Sequence, residues 1–212
     1  MLQYPSIIGV NKSPLGNPCT AFYKYDGSNL RFEWSQKKGF HKFGSRTQII
    51  NSETPILGCG IELFMDTIAL ELIEILKYRL GSNFKNTQKI TAFAEFFGEN
   101  SFAGTHFEAD KKELILFDIS LFQKGFIQPK DFVEYFNHTD WAAKPVYTGN
   151  LNHDFINQVR NNNLPGYNLN EGVICKGVDK KNVWMTKIKT LDYLDKLKNS
   201  FTNWEHYVDN AV

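Results

Sequence analysis

Phe22-Tyr23-Lys24-Tyr25-Asp26-Gly27-Ser28-Asn29 is the stretch on which the reading of this chain turns. Its lysine ends an apolar run just before an Asp-Gly pair, and the chain then resumes as Leu30-Arg31-Phe32-Glu33-Trp34. Leu30, Phe32 and Trp34 alternate with polar residues, the period of a strand with one buried face. The local expectation is therefore strand, tight turn, strand: a hairpin with Lys24 immediately before its turn. Taken alone, such a lysine is a surface residue flanking a hairpin. Its meaning depends on what else the chain carries.

Composition narrows the classes. The chain has 212 residues, 42% apolar and 22% charged, with 18 Phe. That is ordinary for a globular protein and enough for a substantial core, most simply in one domain, with two small ones as the alternative. The Phe content favours a large aromatic core or ring-stacking surfaces. No apolar run approaches the ~20 residues that cross a bilayer. Met1-Leu2-Gln3-Tyr4-Pro5 lacks the basic flank and apolar core of a signal peptide. Cys19, Cys59 and Cys175 are too widely spaced for a disulfide framework or a zinc site. A cytoplasmic monomer without membrane contact is expected.

The formal net charge of +1 says little about partners, but its distribution says more. Arg31, Lys37, Lys38, Lys42 and Arg46 face a single acid, Glu33, between positions 31 and 48. Lysines also dominate 176–198, with Asp179, Asp192 and Asp195 between them. Local basic surface on a near-neutral chain could hold a polyanion at one face, although solvated strand edges and helix faces explain the charge equally well.

Patterning outlines the elements. Pro5, Pro14, Gly16 and Pro18 punctuate an irregular or short-stranded beginning. Gly39 to Gln48 extends the meander. Leu63, Phe64, Ile68, Leu72, Ile75 and Leu76 recur at helical spacing and predict one helix over 61–80, with Gly81 as its left-handed stop. Strands are predicted over 89–97, 113–119, 171–178 and 183–189, and helices over 129–136, 154–160 and from Leu191 to Phe201. Antiparallel strands outnumber helices without alternating with them, which predicts α+β.

Charge inside apolar strands is the informative feature. Lys24, Glu95, Asp118, Glu171 and Lys187 or Lys189 interrupt or border such strands. An unpaired buried charge costs several kcal/mol or shifts its pKa. Ion pairing explains any one of them; together they suggest a polar cavity. His41, His106, His138, His153 and His206 have no metal-ligand spacing and read as structural or exposed. Ser101 and Thr105 lack a G-x-S-x-G context, which argues against a hydrolase.

At this point a resemblance becomes specific. Lys24-Tyr25-Asp26-Gly27 resembles K-x-D-G, the nucleophile motif of the covalent nucleotidyltransferases: DNA ligases, RNA ligases and mRNA-capping enzymes. Gly44-Ser45-Arg46 is similar to their Ser-Arg motif, whose Arg contacts nucleotide phosphate or sugar. Ala94-Glu95-Phe96-Phe97-Gly98 resembles G-E-x-x-G, with Ala94 in place of the first Gly and Glu99 as a rival for Glu95. Leu116-Phe117-Asp118-Ile119 is similar to the motif whose Phe stacks on the purine. Glu171-Gly172-Val173-Ile174-Cys175-Lys176 resembles E-G-[VI]-[VI]-x-K, and Trp184-Met185-Thr186-Lys187-Ile188-Lys189 resembles the K-x-K motif. Each is short, but six follow in order from Tyr23 to Lys189. The phage-type RNA ligase 2 group fits best, because DNA ligases and capping enzymes continue into an oligonucleotide-binding fold, whereas only 190–212 follow here.

The resemblance implies a nucleotidyltransferase (ATP-grasp-like) fold, with antiparallel sheets and flanking helices around a nucleotide pocket. Residues 1–189 would form the adenylation domain and 190–212 its short helical tail. It further implies an ATP-dependent RNA ligase. Lys24 would attack the α-phosphate of ATP and release pyrophosphate, AMP would pass from the lysine to a 5′-phosphate end, and a 3′-hydroxyl would then displace it. The implied catalytic residues are Lys24, Glu171, Lys187 and Lys189. Nucleotide contacts fall to these and to Tyr23, Asn29, Arg46, Glu95 and Phe117, with Glu171 near Mg2+, or Mn2+ in its place. Partners would be RNA ends with 5′-phosphate and 3′-hydroxyl groups, with DNA strands as the alternative. A minimal DNA ligase, a GTP-using guanylyltransferase and a catalytically silent nucleotide- or RNA-end-binding module are the rival readings. Chemistry agrees with the first: an attacking lysine must be neutral although its ordinary pKa is about 10.4, and burial among cations such as Lys187, Lys189 and Arg46 favours the neutral amine.

Overall fold

The structure, a computed structural model, describes residues 1–204; His206 and the end of the predicted tail lie outside the described residues. The strands are β1 (Ile8–Gly9), β2 (Pro18–Lys24), β3 (Ser28–Ser35), β4 (Gly39–Ser45), β5 (Ile49–Ile50), β6 (Lys89–Gly98), β7 (Lys112–Leu121), β8 (Gly125–Phe126), β9 (Pro145–Asn150), β10 (Gly172–Asp179) and β11 (Asn182–Lys189). The helices are α1 (Gly58–Thr67), α2 (Ala69–Leu80), α3 (Ser82–Lys85), α4 (Pro129–Phe136), α5 (His153–Arg160) and α6 (Leu191–Ser200). Two antiparallel sheets with helices define a mixed α and β fold, in which β1 and β11 form the one parallel strand pair among the described residues. Among the same residues, no helix is long and apolar enough to cross a membrane. The chain divides into two compact units.

The first unit comprises Met1–Tyr4, Gly27–Ile127 and Asp131–Ala143. Its sheet runs β5-β4-β3-β6-β7-β8. Leu30, Phe32 and Trp34 of β3 are buried, and Phe32 stacks on Phe64 of α1 with centroids 3.8 Å apart. The strand does not have the single buried face expected of it, since Arg31 and Glu33 between them are 2% and 5% exposed. The helix predicted over 61–80 is instead two, α1 and α2, parted at Ile68. Thr67 Oγ1 donates back to Leu63 O at 2.6 Å, a contact that bends helices. The apolar stripe survives the break, for Phe64, Ile68, Leu72 and Leu76 are all buried. Gly81 takes φ +52° at the stop, as expected.

The second unit comprises Pro5–Asp26, Gln128–Lys130 and the chain from Lys144. Its sheet runs β1-β11-β10-β2-β9. Cys19 and Ala21 of β2, Val173 and Cys175 of β10 and Ile188 of β11 share a core with Phe155, Ile156 and Val159 of α5. Asn152 caps α5 by accepting from Phe155 N–H at 2.8 Å. Thr190 caps α6 in the same way, accepting from Tyr193 N–H at 3.2 Å.

The expected hairpin at Lys24 is absent. β2 and β3 belong to different sheets, because both edges of β2 are already filled by β9 and β10 and both edges of β3 by β4 and β6. The Asp26-Gly27 link therefore joins two units rather than turning one strand back on itself.

Candidate active site

The core of the second unit accounts for one face of its sheet. Strand alternation sends the intervening residues to the other face. Register puts Gly172 opposite both Lys24 and Lys189, and Ile174 opposite both Phe22 and Lys187. Lys176 is opposite Thr20 and Met185. Three neighbouring strands thus bring Lys24, Lys176, Lys187 and Lys189 to one face.

Glu171 stands just before β10 and serves two of these lysines at once. Its Oε2 accepts from Lys24 Nζ at 2.8 Å and its Oε1 lies 3.0 Å from Lys189 Nζ. The residue is 3% exposed, so the pairing is close to dry on the Glu171 and Lys189 side, whereas the Lys24 side chain keeps 23% of its surface. Burial pulls the Lys189 pKa below its ordinary value; Glu171 opposes this, while the charges of Lys24 and Lys187 add to it. A carboxylate in contact with an ammonium favours the charged form, so Glu171 works at Lys24 against the effect expected of the neighbouring cations. Gly172 has φ +144°, and a Cβ there would come within 2.0 Å of Ile188 O. Only glycine fits this position, where β10 runs between the two lysines.

Other predicted residues lie in the first unit. Asn29 is opposite Glu95 in the β3–β6 register. The Asn29 Oδ1 is buried with no hydrogen-bond partner, an acceptor in want of a donor, at a cost of about 1–3 kcal/mol. Phe117 is half-buried, its ring 5.0 Å from that of Tyr4 in an edge-on contact. Tyr4 Oη donates to Asp118 Oδ2 at 2.7 Å. Burial, then Asp118, then the charge of Glu95 push the Tyr4 pKa well up. Arg46 is exposed in the bend between β4 and β5.

The predicted set thus splits between the units, with Lys24, Glu171, Lys187 and Lys189 together in the second and Asn29, Arg46, Glu95 and Phe117 in the first. Tyr23 also belongs to the second unit but packs on the α5 side of the sheet, its hydroxyl donating to Asn168 O at 3.0 Å. Sequence reasoning passed over Tyr4, which carries no motif, and Lys176, whose even-numbered spacing from Gly172 does reveal its face. Arg31 leaves the basic surface patch: it is 2% exposed and its Nη1 donates to Leu2 O at 3.0 Å.

No cluster of three His, Cys, Asp or Glu suited to a metal occurs among the described residues. A divalent cation held through one carboxylate and the phosphates of a nucleotide needs no such cluster. Glu171, the carboxylate expected in that role, here has both oxygens against lysines, and a cation there would draw on their remaining lone pairs.

No protein-family model and no curated protein matches the chain. Its fold is that of solved RNA ligase structures from Naegleria gruberi. A mutant with AMP and Mn superposes at TM-score 0.63 and 18% identity, covering 94% of this chain and 59% of that one. Another mutant, with ATP and Mn, gives 0.63 and 18% over 93% and 59%. The ligase with PPi gives 0.58 and 18% over 94% and 58%. This chain spans a little under three-fifths of the length of these structures, and what it has in common with them is the fold.

Proposed function

We propose that the chain is the nucleotidyltransferase domain of an ATP-dependent RNA ligase. The observation that carries this reading is the Glu171 carboxylate bridging Lys24 and Lys189, on the face that also bears Lys187. An ion pair alone would need one lysine. Several lysines around a single carboxylate leave a net positive face suited to polyphosphate, with Lys24 the most exposed member of the bridge. The fold likeness to RNA ligases solved with ATP, AMP, Mn or PPi supports the same reading.

In this reading Lys24 gives a proton to solvent, to which its side chain is open, and its Nζ lone pair attacks the α-phosphorus of ATP. The N–P bond forms as the bond to the bridging oxygen breaks, and pyrophosphate carries that electron pair away. Lys187 and Lys189 neutralise charge on the phosphate oxygens as the bond order changes. Asn29 and Glu95 accept hydrogen bonds from the ribose, and Phe117 offers a ring face to the base. Mg2+ or Mn2+, held by Glu171 with phosphate oxygens and water, would supply further charge neutralisation. AMP then passes to the 5′-phosphate of an RNA end, and a 3′-hydroxyl displaces it. Residues 1–189 act as the adenylation domain and α6 begins its tail.

The test is incubation with α-labelled ATP or GTP and magnesium, using protein freed of any prior adduct, followed by denaturing electrophoresis. Label retained from ATP alone is the expected result. Retention from GTP alone moves the chain to the guanylyltransferases, and no retention under any metal or pH leaves a silent nucleotide-binding module.

A further inference from the structure

The loop between β6 and β7 bends back on the segment just after the nucleophile motif. Its tip is a two-residue turn, Ala103-Gly104, with φ +50° and +80° and a pair of backbone bonds joining Phe102 and Thr105, the geometry of a type I′ turn. A methyl on Gly104 would lie 3.9 Å from Gly27 O. At its base, Asn100 is held by both carboxylate oxygens of Asp110, at 2.9 and 2.7 Å. Between base and tip, His106 reaches Ser28 Oγ through Nε2 at 2.8 Å and Ser101 Oγ through Nδ1 at 3.3 Å.

The Gly98 backbone N–H only donates, and it donates to Ser101 Oγ at 2.8 Å. The same oxygen keeps a second lone pair and its own proton, so the bond it shares with Nδ1 takes its direction from the ring tautomer. The imidazole lies against Phe96, 5.3 Å between centroids, and Phe96 is the register partner of Ser28.

We propose that His106 is a positioning residue for lysine adenylylation, holding Ser28 in register on β6 so that Asn29 stays opposite Glu95. This rests on the nucleotide-contact roles given above to Asn29 and Glu95. Protonation of the ring puts a positive charge in a partly desolvated position near Lys112, which opposes the arrangement that holds Ser28. Burial, aided by Lys112 of β7 and opposed by Asp110, holds the His106 pKa below 6.5. A depressed histidine contributes fully above its ordinary value and loses that contribution as the pH falls through the lower folded value.

Lysyl-AMP formation and hydrogen exchange of the amides from Gly27 to Arg31 are measured together between pH 5 and 8. The variants are His106→Gln, whose amide can donate to Ser28 without titrating, Ser28→Ala, and His106→Ala alone and combined with Ser28→Ala. Both alanine variants should lose about tenfold in rate together with amide protection, and the double variant should be no worse than either. The ratio of wild-type to His106→Gln should fall in both measurements as the pH drops below 6.5. A constant ratio, or additive losses in the double variant, overturns the proposal. Where His106→Ala fails to fold, His106→Gln and Ser28→Ala carry the same comparison. If wild-type protein takes up no label, the ligase reading fails by itself, and the exchange measurements still decide whether His106 holds the segment.

Discussion

Both units bury charge inside apolar strands, yet they satisfy it by different means. In the second, Glu171 answers two lysines that approach from separate strands, and one of the lysines keeps access to solvent. In the first, a short N-terminal segment takes up the buried charge: Tyr4 bonds Asp118, and Leu2 O accepts from Arg31. Asp118 and Glu171 are buried alike, at 1% and 3% exposure. Burial alone therefore does not separate the carboxylate proposed for a reactive site from a structural one; what the partner can do chemically separates them. A tyrosine hydroxyl held well above its ordinary pKa stays a proton donor. A half-open lysine amine can become a nucleophile.

The largest expected effect is at Lys24. Lys24→Ala should abolish covalent labelling in a protein whose melting transition remains cooperative, and Lys24→Arg should be equally dead, because a guanidinium stays protonated. Labelling at the wild-type level in a folded variant would end the distinction between the two regions. Next comes Glu171→Gln, which strips the shared carboxylate from a buried lysine and should cost about 3–5 kcal/mol in urea unfolding. Phe117→Ala is expected to be milder. Half-buried rather than core, it should lose about 1–2 kcal/mol from apolar burial, while ATP binding measured in the Lys24→Ala background weakens. Unchanged ATP affinity would make Phe117 part of the Tyr4 aromatic contact and nothing more. Asp118→Asn should be the smallest, about 1 kcal/mol, since the amide oxygen can still accept from Tyr4. A loss there as large as at Glu171 would mean that the first unit also uses its buried carboxylate as a hub.

Several of these features could be read without coordinates. Period two picked out the apolar side of β3 but not the burial of Arg31 and Glu33 on its other side, while the stripe from Phe64 to Leu76 identified the helical face. Gly81 marked its stop because a left-handed residue is cheapest there. The misreadings came from long-range competition. An Asp-Gly pair after a strand is a hairpin signal only while that strand has an open edge, and β9 and β10, more than a hundred residues away, fill both edges of β2. The break at Ile68 comes directly after a side-chain bond from Thr67 to Leu63, of a kind that often bends helices and that periodicity does not register. Tyr4 was invisible for a different reason: its role depends on a partner 114 residues downstream. The pairing of Lys24 with Glu171 was half legible, since both stood out as charges beside apolar strands, but which opposite charge each would meet depended on the register of β2, β10 and β11.

The sheet order also bears on how the chain is made. Lys24 and Glu171 are 147 residues apart, so on a ribosome adding about 5–20 residues per second the lysine waits about 7–30 s for its carboxylate. For most of that interval β2, an apolar strand carrying Cys19, Ala21 and Phe22, has neither neighbour, since β9 is made only near its end and β10 after it. An unpaired strand of this kind is a template for pairing with other chains. Yield of native protein should therefore depend on holdase chaperones and on slow growth at low temperature, while refolding of the finished chain, with both neighbours already synthesised, avoids that wait.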